Sequence, residues 1–238
     1  MSLYKDANIT FVGCSRWLSG RAKKSYLLRG KAVLSIPNPI DTKVYHPMDQ
    51  GMARELLGLP LGKRLLLFGA LNVTDKRKGI DYLIEALRRM EKQDVELVVF
   101  GQVKDDIRGL FPVPIHSMGY LSDESKIVAL YNAVDMFITS SLEENLPNTI
   151  MESMACGTPC VGFEIGGIPE MIDHRVNGYV ANYKDAGDLA NGIQWVLEHE
   201  DRLALSDACV KKVQENYTEE VVAKQYMALY KHLLHQKK

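Results

Sequence analysis

Short apolar segments alternate with helical patterns through the middle of the chain. Four segments are apolar at nearly every position, at residues 65–68, 97–100, 136–138 and 160–163. Such segments are typical of strands that are buried on both faces of a sheet. Between them, apolar residues recur at helical spacing, as at Ile80, Leu83, Ile84 and Leu87. Strands that alternate with helices predict an α/β fold with a doubly wound parallel sheet.

Helix starts are visible as capping residues. Ser122 is predicted to cap a helix that opens with Asp123 and Glu124, and Asn148, after Pro147, is predicted to begin another. After Asp185 the pattern is helical only. It predicts a tail of three helices, at residues 189–197, 203–213 and 219–234.

The composition is that of a soluble globular protein. The 238 residues are 46% hydrophobic and 25% charged, with a formal net charge of −1. This balance excludes a disordered chain and a broad nucleic-acid-binding surface. The four cysteines are too few for a disulfide framework and indicate reduced thiols in a cytosolic protein. The six histidines have no metal-binding spacing, so no metal site is predicted.

The chain has no apolar run of the roughly 20 residues that a membrane helix needs. The first six residues have no apolar stretch typical of a signal peptide. They are more typical of an artificial junction than of a natural start.

Two carboxylates, Glu144 and Glu152, lie eight residues apart across a predicted strand-to-helix turn. The free N–H groups and the dipole of a helix start attract an anion. Glu152 falls about one turn inside that helix and Glu144 precedes the turn. The spacing suits a ligand with a central phosphate and hydroxyl groups on both sides. A surface glutamate and a capping glutamate would give the same spacing, and Glu143 leaves open which carboxylate matters.

Three consecutive cations, Lys76, Arg77 and Lys78, follow the predicted strand that ends at Gly69. Cations in a loop that enters a helix can neutralise a diphosphate. A solvated run of charge is the alternative. Because the carboxyl ends of parallel strands share one edge of a sheet, this loop and the Glu144 loop are expected to converge on one anion.

Two adjacent glycines, Gly166 and Gly167, precede a short helix that is opened by Pro169. They allow close backbone approach to a ligand, or a tight turn with positive φ. Gly101, which follows Phe100 at a strand end, has the same two interpretations.

Taken in order, these segments resemble the nucleotide-sugar-binding half of the retaining GT-B glycosyltransferases of family four. The resemblance covers nearly the whole chain after residue 8. The matching segments are 14–18 (CSRWL), 36–41 (IPNPID), 78–79 (KG), the E-x7-E pair at 144 and 152, 154–159 (MACGTP) and 166–170 (GGIPE).

The resemblance implies a role for each site residue. Lys78 would neutralise the departing diphosphate, Glu144 would bind hydroxyls of the sugar, and Glu152 would bind the ribose hydroxyls. Residues 119–121 would frame the base through the backbone. The other residues implied to bind substrate are Asn145, Leu146, Pro147, Asn148, Thr149, Arg77, Gly69, Gly101 and Leu121.

Two departures from the family pattern affect the phosphate site. The family usually has an arginine in "GR" after the first strand, whereas this chain has Gly69–Ala70. Whether Arg77 or Lys76 replaces that arginine stays open. Pro147 stands where the family's "E-x-F-G" has glycine, so one amide donor is missing.

The family's enzymes have two Rossmann-like domains with the active site between them, and this chain matches one of them. The implied parts are a remnant of the last strand and helix of the acceptor domain after the artificial residues (1–30), the donor-binding domain (31–215) and a helix that packs toward the missing domain (216–238). The implied partners are a UDP- or GDP-linked sugar and the missing N-terminal acceptor domain, with no cofactor and no nucleic acid. The implied location is the cytoplasm, with any contact with the inner face of the membrane made through the missing domain.

Two other functions remain open on the sequence. One is a nucleotide-sugar 2-epimerase with the same fold. The other is a non-catalytic sugar- or protein-binding module, which would not need both Glu144 and Glu152.

Overall fold

The computed structural model of the protein describes residue 4 and residues 7–72, 75–90, 94–102 and 108–235. Within these residues the strands are β1 (Thr10–Gly13), β2 (Ala32–Ser35), β3 (Arg64–Asn72), β4 (Val95–Gln102), β5 (Ile115–Gly119), β6 (Met136–Thr139), β7 (Cys160–Phe163) and β8 (Gly178–Ala181). The α-helices are α1 (Arg16–Lys23), α2 (Gln50–Leu57), α3 (Ile80–Arg89), α4 (Glu124–Ala133), α5 (Asn148–Ala155), α6 (Ile168–Met171), α7 (Ala186–Leu197), α8 (Arg202–Asn216) and α9 (Glu219–His235).

The main sheet of the described residues has the strand order β5-β4-β3-β6-β7-β8, and each neighbouring pair is parallel. The chain begins this sheet at β3, adds β4 and β5 toward one edge, and then adds β6, β7 and β8 toward the other. This is a doubly wound parallel sheet, which confirms the predicted fold class. The four apolar segments of the sequence lie in β3, β4, β6 and β7.

Strand β3 shows why these segments are apolar at consecutive positions. Leu65 and Leu67 belong to one buried cluster, while Leu66 and Phe68 belong to another, and each is at most 1% exposed. Alternate side chains of a strand point to opposite faces, so both faces of β3 are covered. The first cluster includes residues of α2, α4, α5 and α8, and the second includes residues of α3 and α7.

The N-cap of helix α4 differs from the predicted one. Helix α4 is capped by Asp123, whose carboxylate accepts a hydrogen bond from the Ser125 N–H at 3.0 Å. The prediction that Ser122 caps this helix is therefore wrong by one residue, because the charged carboxylate, not the hydroxyl, accepts from the first turn. Helix α5 begins at Asn148, as predicted.

The three helices of the predicted tail are confirmed as α7, α8 and α9. None of the helices in the described ranges is both long enough and apolar enough to cross a membrane.

Strands β1 and β2 form a separate two-stranded parallel sheet. Helix α9 packs beside it, where Val222 and Leu229 are buried together with Ile36. Tyr226 and Leu233 are partly buried against this cluster, whereas Met227, Tyr230 and Leu234 are more than half exposed. A helix that packs toward a missing domain, as the resemblance implies for residues 216–238, would be partly exposed in this chain; that domain stays a prediction.

A buried carboxylate, Asp135, lies at the amino edge of the main sheet, just before β6. Its side chain is 2% exposed. It accepts hydrogen bonds from the Leu65 N–H at 2.7 Å, from Arg54 Nη2 at 3.1 Å and from Arg202 Nη1 at 2.6 Å. Arg54 is itself buried, so its pair with Asp135 is shielded from water, whereas Arg202, which links the pair to α8, is 42% exposed.

We expect Asp135→Ala to lower the free energy of unfolding by about 3–5 kcal/mol, because it leaves the Arg54 guanidinium buried without its carboxylate. Urea unfolding measures this change. Asp94→Ala is the control, since the Asp94 side chain is 73% exposed in its pair with Lys63 and its removal should cost less than about 1 kcal/mol. Equal losses in the two variants would contradict the prediction.

Candidate functional site

The predicted site residues gather at the carboxyl edge of the sheet, where β3 and β6 lie side by side. The chain leaves β3 toward one edge of the sheet and leaves β6 toward the other. Loops that diverge in this way open a crevice, which is the usual ligand site of a doubly wound sheet. The loop after β3 carries the Lys78 turn, and the loop after β6 carries Glu144 and leads into α5.

The two loops are fastened to each other by hydrogen bonds. The Leu142 N–H donates to the Arg77 carbonyl at 2.7 Å, and the Ser140 hydroxyl donates to the Lys78 carbonyl at 2.9 Å. Gly79, with a φ of +64°, makes this approach possible because a Cβ atom there would collide with the Ser140 carbonyl. The two loops therefore lie side by side, as expected, and hydrogen bonds to backbone carbonyls hold them together.

Lys78 and Glu144 form an ion pair across these loops. The distance from Lys78 Nζ to Glu144 Oε1 is 2.5 Å, and the side chains are 31% and 15% exposed. The pair is thus partly shielded from water, which strengthens it relative to a surface pair. The carboxylate both neutralises the ammonium group and holds it against the loop that leads into α5.

The start of α5 has backbone donors that the helix itself does not use. Pro147 is the N-cap and makes no side-chain capping bond. The N–H groups of Asn148 and Thr149 lie in the first turn, where a helix offers no acceptor. Asn148 is exposed, and its side-chain oxygen lies 3.5 Å from Nδ2 of Asn38. Leu146 is buried in the core, so its side chain is directed to packing.

Asn145 joins this loop to the N-terminal segment. Its side-chain oxygen accepts a hydrogen bond from the Ser15 hydroxyl at 2.6 Å, and its amide group donates to Cys14 Sγ at 2.9 Å. Its carbonyl accepts from the Gly167 N–H at 2.5 Å. The side chain of Asn145 is therefore engaged within the protein.

The structure shows what the backbone approaches at the glycine pair, Gly166 and Gly167. Gly166 has a φ of +58°, and a Cβ atom there would collide with the Glu144 carbonyl. The close approach that the glycines permit is thus an approach to the backbone of Glu144 and Asn145.

Glu170, in the same motif, has a role that the sequence analysis missed. Its carboxylate accepts hydrogen bonds from the Arg16 N–H at 2.8 Å and the Trp17 N–H at 2.7 Å. These are first-turn donors of α1, so Glu170 acts as a distant cap that holds α1 against α6. No local signal could have shown it, because the partners are more than 150 residues apart.

Glu152 lies one turn inside α5, in different surroundings from Glu144. Its Oε2 accepts a hydrogen bond from the Tyr131 hydroxyl at 2.8 Å. Burial raises the pKa of Glu152, and the nearby charge of Glu124 raises it further, whereas the Tyr131 hydrogen bond lowers it. The two carboxylates of the E-x7-E pair therefore have separate partners on either side of the helix start.

The other cations of the loop are placed differently from Lys78. Arg77 binds Asp75, with Nη2 and Oδ2 2.7 Å apart, and hydrogen bonds from Arg77 lower the pKa of Asp75 to about 2. Lys76 is exposed. Neither arrangement decides which of the two replaces the missing family arginine.

Three further predicted residues line the same edge. Gly69 on β3 lies opposite Phe100 on β4, and a side chain at 69 would collide with the Phe100 ring. Gly101 is buried with a φ of +126°. Leu121, after β5, packs against the first core cluster. Among the described residues, no group of three or more His, Cys, Asp or Glu side chains is arranged to hold a metal ion.

A family model described as "Glycosyl transferases group 1" matches residues 62–199 of the chain. The N-acetyl-alpha-D-glucosaminyl L-malate synthase of Bacillus anthracis is 25% identical over 206 residues, which are 84% of this chain and 54% of that protein. The D-inositol 3-phosphate glycosyltransferase of Corynebacterium aurimucosum is 27% identical over 195 residues, 74% of this chain and 45% of that protein. The chain thus spans about half the length of the curated relatives that it matches.

A solved structure with the same fold is that of Anabaena HepE in complex with UDP and glucose. It aligns with a TM-score of 0.77 over 94% of this chain and 63% of that one, at 19% sequence identity. At this level of identity the similarity concerns the fold, which is the GT-B Rossmann-like domain with its helical C-terminal segment.

We expect Gly79→Ala to lower the free energy of unfolding by about 2 kcal/mol or more, because the new Cβ atom would be strained at positive φ and would press on the Ser140 carbonyl. Urea or thermal unfolding measures the loss. In the matched control Gly62→Ala, no atom lies within 4 Å of the new Cβ, so the change should stay within about 0.5 kcal/mol. A Gly79→Ala protein as stable as the control would show that the two loops are not fastened here.

Proposed function

Because this chain belongs to the family of glycosyl transferases group 1, we propose that it binds the nucleotide-diphosphate sugar from which the whole enzyme transfers a sugar. The observation that carries the proposal is the position of Lys78. Its ammonium group is paired with Glu144, on the loop that leads from β6 into the open start of α5, at the crevice between β3 and β6. A cation and a helix start together suit a diphosphate.

The paired lysine can serve a phosphate without leaving Glu144. An ammonium group has three N–H donors, and the bond to Glu144 uses one of them. The other two, with the N–H groups of Asn148 and Thr149, can donate to the oxygens of a diphosphate. Such fixed donors stabilise the negative charge that develops on the leaving group when the bond to the sugar breaks.

The remaining groups of the ligand have candidate partners on either side. We propose that Glu144 accepts hydrogen bonds from sugar hydroxyls and that Glu152 accepts them from the ribose. The base would lie against residues 119–121, near Gly69 and Gly101. Support for a uridine nucleotide comes from the related fold of HepE, whose structures are described as complexes with UDP and with UDP-glucose; a guanosine nucleotide is the alternative.

We propose that an acceptor domain completes the cleft. The matches cover only 54% and 45% of the relatives named above, and α9 has exposed apolar side chains at Met227, Tyr230 and Leu234. The small sheet of β1 and β2 is the natural place for such a domain to join. The complete enzyme would act in the cytoplasm and transfer its sugar, with retention of configuration, to a glycan or a lipid-linked saccharide.

We expect this chain to bind UDP or GDP with a Kd of about 1 mM or tighter and to lose about tenfold in affinity in Lys78→Ala, because a charge-assisted hydrogen bond to phosphate is removed. Glu152→Ala should also weaken binding. Isothermal titration calorimetry measures both effects.

Lys63→Ala is the matched control for Lys78, since it also removes a lysine that is paired with a carboxylate, that of Asp94, but lies just before β3 at the opposite edge of the sheet; it should change affinity less than about threefold. Full affinity in both Lys78→Ala and Glu152→Ala would contradict the proposed site. With the whole enzyme, release of an epimerised sugar nucleotide in place of sugar transfer would favour the epimerase.

A further inference from the structure

Tyr131 is a buried tyrosine whose hydroxyl group reaches the edge of the candidate site. The residue is 0% exposed. Its hydroxyl donates a hydrogen bond to Glu152 Oε2 at 2.8 Å, from helix α4 to helix α5. Burial and the neighbouring Glu152 carboxylate hold the pKa of Tyr131 well above its usual value. The hydroxyl therefore keeps its proton and remains a donor at any ordinary pH.

The ring that carries this hydroxyl is held on several sides. Phe100 and Phe137 pack edge-to-face against it, with ring centroids 6.2 Å and 6.0 Å away. The Thr158 hydroxyl donates to the Tyr131 carbonyl at 2.7 Å. A side chain fixed by packing and by its backbone is well suited to orient another residue.

We propose that Tyr131 is a positioning residue that fixes the Glu152 carboxylate in the orientation in which it accepts the ribose hydroxyls. The inference rests on the proposed function, because it assigns to Glu152 the ribose of a bound nucleotide. It adds that Glu152 depends on Tyr131, which itself does not touch the ligand. A purely structural Tyr131 would satisfy its hydroxyl on Glu152 without affecting the ribose contact.

The charges around Glu152 give this hydrogen bond a second effect. The groups that face its carboxylate are Tyr131 and Glu124 from α4, Tyr45 from the segment before α2, and Cys156 at the end of α5. Burial raises the pKa of Tyr45 above its usual value and that of Cys156 to about 12, so both stay neutral at neutral pH. Of these groups, Tyr131 lowers the pKa of Glu152, whereas Glu124 raises it.

The sign of the pH effect follows from this arrangement. The ionised form of Glu152 accepts hydrogen bonds, so nucleotide binding should fall as the pH drops through its pKa. Without the Tyr131 hydroxyl, that pKa rises further. Binding by Tyr131→Phe should therefore be lost at a higher pH than binding by the unaltered chain.

The test compares a nucleotide with and without its ribose hydroxyls, using whichever of UDP and GDP the unaltered chain binds. By isothermal titration calorimetry at pH 7.5, Tyr131→Phe should bind the nucleoside diphosphate about tenfold more weakly. It should bind the 2′,3′-dideoxy counterpart as well as the unaltered chain does. Titrations from pH 5 to pH 8 should show the acidic loss of binding moved to higher pH.

Tyr217→Phe is the matched control, because this buried tyrosine donates its hydroxyl to the Glu170 carbonyl and not to Glu152. It should leave both affinities and the pH profile unchanged. Thr158→Val is a second variant, which keeps the Tyr131 hydroxyl but removes the hydrogen bond to its backbone. It should weaken binding of the nucleoside diphosphate by a smaller factor than Tyr131→Phe does. Binding of the 2′,3′-dideoxy counterpart should again be unchanged.

The outcomes separate the inference from the function on which it rests. If the unaltered chain binds neither UDP nor GDP, both are overturned. If it binds one of them, but Tyr131→Phe has no effect or weakens the dideoxy nucleotide equally, the positioning role is overturned and the proposed function stands. If Tyr131→Phe does not fold, Thr158→Val decides by the same comparison.

Discussion

The candidate site depends on the fastening of two loops that leave adjacent strands in the middle of the sheet. A doubly wound sheet only brings the ends of β3 and β6 to the same edge; it does not fix the loops. The hydrogen bonds from Leu142 and Ser140, and the pair of Lys78 with Glu144, do so. Because Glu144 already holds the cation on the loop that leads into α5, a ligand that bound there would not have to order it.

The two glutamates of the E-x7-E pair acquire different properties from their surroundings. Glu144 lies against a lysine ammonium group, so its charge is balanced directly. Glu152 is largely buried and lies near the Glu124 carboxylate, so its pKa is raised, although a hydrogen bond from the Tyr131 hydroxyl lowers it in part. One residue type on two sides of the start of α5 therefore supplies one carboxylate that neutralises a cation and one that is bonded to a tyrosine hydroxyl.

The small N-terminal sheet is part of the support of the site. Cys14 and Ser15, which follow β1, form hydrogen bonds with the side chain of Asn145. Glu170, in α6, caps α1. Gly166, in the loop between β7 and α6, lets the backbone of that loop approach the backbone of Glu144. Any domain that joins the small sheet would thus be connected, through these hydrogen bonds, to the loop that precedes α5.

Local patterns in the sequence determined four of the eight described strands (β3, β4, β6 and β7), most of the helices, the doubly wound fold and the set of loops that carry the candidate residues. Hydrophobic periodicity and helix-start residues act over a few positions, so the chain itself displays them. Only the tertiary structure decided that Asp123 and not Ser122 caps α4, and that Gly166 approaches backbone. It also decided that Lys78 pairs with a carboxylate 66 residues away and that Glu170 caps a helix 154 residues away. Such contacts depend on how the elements pack, and no spacing along the chain encodes them.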